Sequence, residues 1–284
     1  MLDYHVHTNI GDGVNSLEEN IEYAIELGLS EIGISDHFGL YPQNGEEVFG
    51  DGWNWGKDDL EIRAKNISPF SIRGSLCKYF EDINKAKEKY QDKIIVKSAV
   101  EMDLYESNLD LTYNVVMSYK PDYIIGSIHA LDKIGFQDEK TFYKATSKDY
   151  IHYIEVMTDC VRKGKMNIVG HINLYKRFAK FGEENRFYPY YDSLIEACRD
   201  TGTAIEFNTG QFTDNYDKSL YFFKKCAKEE VPLIVTSDAH VKESIGADFN
   251  IAFELLKEAG VIWTATFDNC KMNKKRIDYS KYSS

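Results

Sequence analysis

The chain has 284 residues, 43% of them hydrophobic, and 46 acidic against 34 basic side chains give a net charge of −12. The apolar share is enough for a large core, and the length suits one α/β barrel. With no dense Lys/Arg run, the acidic surplus argues against nucleic acid as a partner, because binding that polymer leaves a basic footprint.

The first strand is Leu2-Asp3-Tyr4-His5-Val6-His7-Thr8. Side chains at i and i+2 leave a strand on one face, so His5 and His7 converge on one point with Asp3 below them, as a pair of metal ligands does. Ser16-Leu17-Glu18-Glu19 reads as a capping box, followed by Leu17, Ile21, Ala24, Ile25 and Leu27 at helical spacing and by Gly28 as a stop. A buried strand from Glu31 to His37 completes a β-α-β start. From Phe38 to about Gly74 glycines and prolines break every period, while Trp53, Trp55 and Phe70 supply apolar anchors. A loop of that length predicts a lid over a functional site.

Ser75 opens a helix to about Gln91, Ile94 to Glu101 is the third strand, and a helix near Leu109 to Tyr119 leads to the fourth, Tyr123 to His129. Ser147 caps a helix ending at Gly164, before the strand Asn167 to His171. A helix from about Tyr190 to Asp200 precedes the strand Ala204 to Thr209. The helix Tyr221 to Lys228, the strand Leu233 to His240 and a helix from about Ser244 to Gly260 complete the pattern. Val261 to Phe267 is read as a further closing strand, and Lys271 to Arg276 as a solvated basic tail.

Seven strand-then-helix units predict a parallel sheet with helices outside, closed into a barrel and spanning residues 1–284 as one domain. An open doubly wound sheet is the second choice, but Gly11-Asp12-Gly13 lacks the rest of the phosphate-binding fingerprint that fold needs. Cys77, Cys160, Cys198, Cys226 and Cys270 are odd in number and contain no C-x-x-C, which predicts free thiols and a reducing cytoplasm. No apolar run reaches membrane-spanning length, and no signal peptide precedes the first strand, so neither membrane nor export is expected.

Of the seven histidines, His5, His7, His37, His129, His171 and His240 fall at the C-terminal ends of predicted strands, and only His152 lies within a helix. That end of a parallel α/β fold is where active sites assemble. Acidic residues share those ends: Asp36 beside His37, Glu101 closing the third strand, and Asp238 two residues before His240. The i, i+2 rule puts Asp238 and His240 on one face, whereas adjacent Asp36 and His37 diverge, and His37 is taken to enter the site. With Asp12, nine candidate ligands result, more than one tetrahedral ion needs. Imidazoles and carboxylates without thiolates suit two or three divalent transition ions such as Zn, Fe or Mn, one carboxylate bridging.

These residues resemble the PHP (polymerase and histidinol phosphatase) superfamily. Its four motifs are matched by His5-Val6-His7 with Asp12, by Asp36-His37, by Ser127-Ile128-His129 with Gly170-His171, and by Ser237-Asp238-Ala239-His240, with Glu101 fitting the bridging glutamate. The resemblance implies a distorted (β/α)7 TIM-like barrel with a trinuclear centre at the C-terminal strand ends. It implies one metal on His5, His7, Glu101 and Asp238, a second on Glu101, His129 and His171, and a third on Asp12, His37 and His240. Within that family the chain resembles the monofunctional histidinol-phosphate phosphatases of amino-acid biosynthesis. The expected activity is phosphomonoester hydrolysis, with Glu101, Asp238 and His240 as catalytic groups and Arg177 and Arg186 as a phosphate clamp. The expected partner is a small phosphate ester, and the oligomeric state stays open. A nucleotide phosphoesterase or nuclease, a protein-tyrosine phosphatase and a non-catalytic metal-stabilised module are the alternatives.

Overall fold

Short runs of Ile, Val and Leu ending in polar residues pair in parallel when both faces of the sheet are covered. The computed structural model describes residues 1–40, 42–43, 46–47, 72, 75–105, 108–131, 134–135, 146–177, 182–210 and 220–282. Its main strands are β1 (Leu2–Val6), β2 (Glu31–Ile34), β3 (His37–Phe38), β4 (Ile95–Asp103), β5 (Tyr123–Ser127), β6 (Ile168–Val169), β7 (Ala204–Asn208) and β8 (Leu233–Thr236). They run in the order β1-β2-β4-β5-β6-β7-β8, each neighbour parallel, with β3 extending the path of β2 alongside β4. The ends of the sheet meet. Val6 bridges Ala239 in parallel, His7 N donates to Ala239 O at 2.9 Å, and Ala239 N donates to His5 O at 3.1 Å. The expected seven-stranded barrel is therefore present, nearly closed.

Helices α1 (Leu17–Glu26), α2 (Leu76–Tyr90), α3 (Leu109–Met117), α4 (Ser147–Arg162), α5 (Tyr188–Thr201), α6 (Tyr221–Lys228) and α7 (Phe249–Glu258) alternate with the strands. Ser16 and Glu19 form the predicted capping box, and Ser75 caps α2. Two helix starts differ from expectation. Thr146, not Ser147, caps α4, because Asp149 accepts from both its N–H and its hydroxyl at 2.6 Å. The last helix begins at Phe249, with a single 3-10 turn at Lys242–Ser244 in place of its predicted first turns.

The end of the chain also departs from prediction. Val261 to Phe267 does not close the barrel; β9 (Trp263–Asp268) pairs antiparallel with β10 (Lys271–Arg276), the stretch read as a solvated tail. This hairpin plugs the N-terminal mouth. Phe267 packs in the barrel interior with Tyr4, Tyr123, Ile125, Ile168, Ala204 and Ile234, and Cys270 N donates to Asp122 O at 2.8 Å. Burying a ring of that size stabilises by about 1.5–3 kcal/mol. Gly33 is needed here, since a Cβ would lie 1.8 Å from the Tyr123 hydroxyl.

One register shift matters for the site. Between Asp3 and Val6, β1 holds one residue more than β2 opposite it. A bulge turns neighbouring side chains off strict alternation, so Tyr4 and His5 both reach the interior. Asp3, expected beneath the histidines, instead accepts from Ser237 N at 3.1 Å, Ser237 Oγ at 2.5 Å and Gly246 N at 3.0 Å. The span 38–74 predicted as a lid lies almost wholly outside the described residues.

Candidate metal centre

The loop after β1 is held in place before it contributes anything. Asp36, fully buried, accepts from Thr8 N at 2.7 Å and Thr8 Oγ1 at 2.8 Å, and Gly11 passes so close that a Cβ would stand 2.6 Å from Asp36 Oδ1. That anchor carries Asp12 to the barrel mouth. His37, next to Asp36 and the first residue of β3, turns the other way into the site.

The nine candidate groups converge. His5 Nε2 lies 3.2 Å from Glu101 Oε2 and 3.5 Å from Asp238 Oδ1, and His7 Nε2 lies 3.1 Å from the same Asp238 oxygen. His37 Nδ1 is 2.8 Å from Glu101 Oε2, while Asp12 Oδ2 is 3.6 Å from His37 Nε2 and 3.3 Å from His240 Nε2. On the far side of the glutamate, Oε1 is 2.7 Å from His171 Nε2 and 3.3 Å from His129 Nε2. Glu101 thus faces two sets of imidazoles with its two oxygens, the posture of a bridging ligand. Three groups bring ligand atoms within 4.8 Å of one another: His5, His7, Glu101 and Asp238; His7, Asp12, His37 and His240; His37, Glu101 and His129. The division is less strict than the resemblance implies, because His7 and His37 each belong to two groups.

Burial disfavours the charge on Glu101, yet His37, His5 and His129 outweigh it and hold the carboxyl well below the usual range. Burial likewise opposes ionisation of Asp238, and His5 and His7 override it downward. His7 is lowered to about 3 by burial and by its histidine neighbours His240, His37 and His5, so it stays neutral. Burial works against a charged His5, but Glu206, Glu101 and Asp238 raise it well above the ordinary imidazole value. Ionised carboxylates and neutral imidazole are the forms that bind metal, so Glu101, Asp238 and His7 are already in that form, whereas His5 gives up a proton when an ion binds.

The donor atoms also fit an ion. His5 Nε2, His7 Nδ1, Asp12 Oδ1 and Glu101 Oε2 are buried without a hydrogen-bond partner. Buried lone pairs facing one another are costly unless something positive is shared between them. Nitrogen and carboxylate oxygen without thiolate suit divalent transition ions.

Three groups escaped the sequence reading. Glu206, fully buried, sits 2.5 Å from His5 Nδ1, Asp103 pairs with His129 Nδ1, and Asn208 donates to both Glu206 and Asp238 at 3.2 Å. The available signal was the i, i+2 rule, which puts Asp103 on the face of Glu101 and Asn208 on the face of Glu206. Arg186 is exposed on the 3-10 helix Glu184–Phe187 and donates to Ser147 Oγ at 3.3 Å at the head of α4. The Arg177 side chain lies outside the described residues. Lys176, adjacent to it, is buried, pairs with Glu184 and lies 5.1 Å over the Tyr150 ring. His152 is exposed on α4.

Residues 3–210 match the sequence profile of the PHP domain. Asp238 and His240 lie beyond that span yet complete the centre. The histidinol-phosphatase of Lactococcus lactis subsp. lactis (strain IL1403) is 26% identical over 289 residues, covering 97% of each chain. That of Bacillus subtilis (strain 168) is 24% identical over 285 residues, 89% of this chain and 98% of the relative. The fold is shared with a crystal structure of the histidinol phosphate phosphatase from L. lactis complexed with Zn, L-histidinol and phosphate. The TM-score is 0.75 at 22% identity, over 96% of this chain and 98% of that one. Among the described residues no helix is long and apolar enough to cross a membrane.

Proposed function

The chain belongs to the PHP domain family, and from that premise we propose that it is a metal-dependent phosphomonoesterase hydrolysing L-histidinol phosphate to L-histidinol and phosphate. What supports this is the nine-group centre at the barrel mouth in a chain that aligns with a histidinol-phosphatase along 97% of both lengths. Two or three divalent ions, Zn, Fe or Mn, are the cofactors proposed for His5, His7, Asp12, His37, Glu101, His129, His171, Asp238 and His240. Bound there, such ions activate a water and neutralise charge on the phosphoryl oxygens.

The chain's own residues supply the remainder. Glu101 links the two sides of the centre through its separate oxygens. His240 Nδ1 lies 2.9 Å from the Asp238 carbonyl, which fixes the ring, and at 40% exposure it is the most open of the nine side chains. When Nε2 is not engaged by an ion, that openness suits proton delivery to the leaving alkoxide by His240 with Asp238. Arg177 and Arg186, on the segment following His171, are proposed to hold the phosphate. Residues 38–74 are proposed as a lid within a single domain: Phe38 and Leu40 are buried at one end, and Ile72 N donates to His37 O at 2.9 Å at the other. A small phosphate ester in the cytoplasm, rather than nucleic acid or a membrane, is the partner this composition favours.

The test is a phosphate-release screen over histidinol phosphate, nucleoside monophosphates, aryl phosphates and a phosphotyrosine peptide, with and without chelator. Histidinol phosphate should give the highest kcat/KM, and chelation should abolish it. Equal or better turnover of nucleotides or phosphotyrosine would transfer the assignment to those alternatives, and no release from any ester would favour the non-catalytic module.

A further inference from the structure

β7 supplies none of the nine ligands, yet its two inward polar residues touch three of the ligand-bearing segments. Glu206 Oε1 lies 2.5 Å from His5 Nδ1 and accepts from Thr236 Oγ1 at 2.7 Å. Its Oε2 accepts from His171 N at 2.5 Å and from Asn208 Nδ2 at 3.2 Å. Asn208 Nδ2 also donates to Asp238 Oδ2 at 3.2 Å. The Glu206 side chain is 0% exposed and has polar partners on both oxygens. We propose that Glu206 and Asn208 are positioning residues, which fix the tautomer of His5 and the placement of His171 and Asp238 without binding metal themselves.

The chemistry follows from the donor inventory. An ionised carboxylate only accepts, and Thr236 Oγ1, His171 N and Asn208 Nδ2 already donate to this one, so His5 Nδ1 at 2.5 Å must carry the proton. In neutral His5 the lone pair then lies on Nε2, the atom facing Glu101 and Asp238 at 3.2 and 3.5 Å. A carboxylate behind a ligating imidazole also raises its basicity and stops the ring from turning. Glutamine at position 206 breaks this arrangement whichever way its amide is set. With NH₂ toward His5 and Thr236, the imidazole must accept at Nδ1, which moves its proton to Nε2 where the lone pair is needed. With NH₂ toward His171 N and Asn208, donors oppose donors.

This inference rests on the metal-centre part of the proposed function, but not on the identity of the ester. Wild type and Glu206→Gln are stripped of metal, loaded with Co²⁺ and titrated against a competing chelator. The tightest-held equivalent should bind about 10- to 100-fold more weakly in the variant, and at saturating Co²⁺ its visible ligand-field spectrum should differ from wild type. A role confined to stability would lower the Tm of the stripped variant while leaving affinity and spectrum unchanged, and that outcome overturns the proposal. If Glu206→Gln does not fold, Thr236→Val keeps the side-chain shape and removes one donor from the same Oε1; a few-fold loss of Co²⁺ affinity is expected, and none overturns the proposal. Neither readout uses turnover. Wild type that releases no phosphate while the Co²⁺ differences persist defeats the phosphatase reading alone, whereas wild type that binds no Co²⁺ defeats this one.

Discussion

The two halves of the centre are built from the same kinds of side chain, imidazoles and carboxylates, and differ in their access to water. His5 and Glu101 are wholly buried, with His7 at 0% and Asp238 at 8% exposure. At the other edge His129 is 15%, Asp12 17% and His240 40% exposed. The most open ring also has a different support: His5 and His129 are each backed by a buried carboxylate, Glu206 and Asp103, but His240 by a backbone carbonyl. In the deep half a missing ligand leaves charge that no solvent can compensate, while in the open half water can take the vacated position. Equal ligand chemistry therefore does not mean equal hold on an ion.

The largest expected effect comes from the residue spanning both halves. Glu101→Gln keeps the shape but gives up the anionic oxygens, so bound metal should fall by an equivalent and the hydrolytic rate by at least ~10³. Elemental analysis and histidinol-phosphate turnover check it; a mild effect on both would mean another group bridges. The comparison is sharpened by a pair. His5→Gln should lose metal and activity together, by about 10²- to 10³-fold, whereas His240→Gln should lower kcat by about 10²-fold with most of the metal retained. Identical metal contents in the two variants would erase the distinction between the halves. A graded chelator series on wild type offers a third test: the first equivalent should leave readily and the last slowly, and simultaneous loss of all equivalents would contradict the asymmetry.

Weaker, but specific in sign, is the pH dependence of the metal-free protein. Burial opposes the charge on His129, yet Glu101 and Asp103 lift it from 6.5 to about 9. A raised imidazole stabilises the fold fully below 6.5, and that contribution is lost as pH climbs to about 9. The Tm of stripped protein should accordingly fall across this window, and metal, which needs the neutral ring, should flatten the slope. Differential scanning fluorimetry in both states decides it; parallel slopes would exclude the His129 contribution. The smallest effect is expected from His152→Gln on the outer helix, where metal content and rate should match wild type.

Strand alternation made part of this centre readable in advance. It grouped His5 with His7; Asp238 and His240 also meet in the centre, but as part of the segment that follows β8 at Thr236, with Asp238 at a positive φ, rather than by alternation along a strand. Helix starts were equally legible where Ser16 and Glu19 make a self-contained box. What escaped depended on neighbours far along the chain. Glu206 has a role only because β7 lies next to β8, and β8 next to β1, a relation that no local pattern in the sequence encodes. Asp3 left its predicted face because of a one-residue bulge. The strand Lys271–Arg276 was hidden by its charges, since it lies on the surface and is held by β9 rather than by its own apolar side chains.

The seam where β1 meets the end of β8 has a temporal consequence. Ser237 reaches Asp3 across 234 positions of sequence, and Val6 pairs with Ala239 at the same junction. Contacts so distant along the chain form late, because the intervening loop must close before they return any stabilisation. On the ribosome the first histidine pair emerges long before its partners Asp238 and His240. The deep half of the centre can be completed only when nearly the whole barrel has been made, so on the proposed ligand set an ion captured there would clasp the last joint of the fold to close.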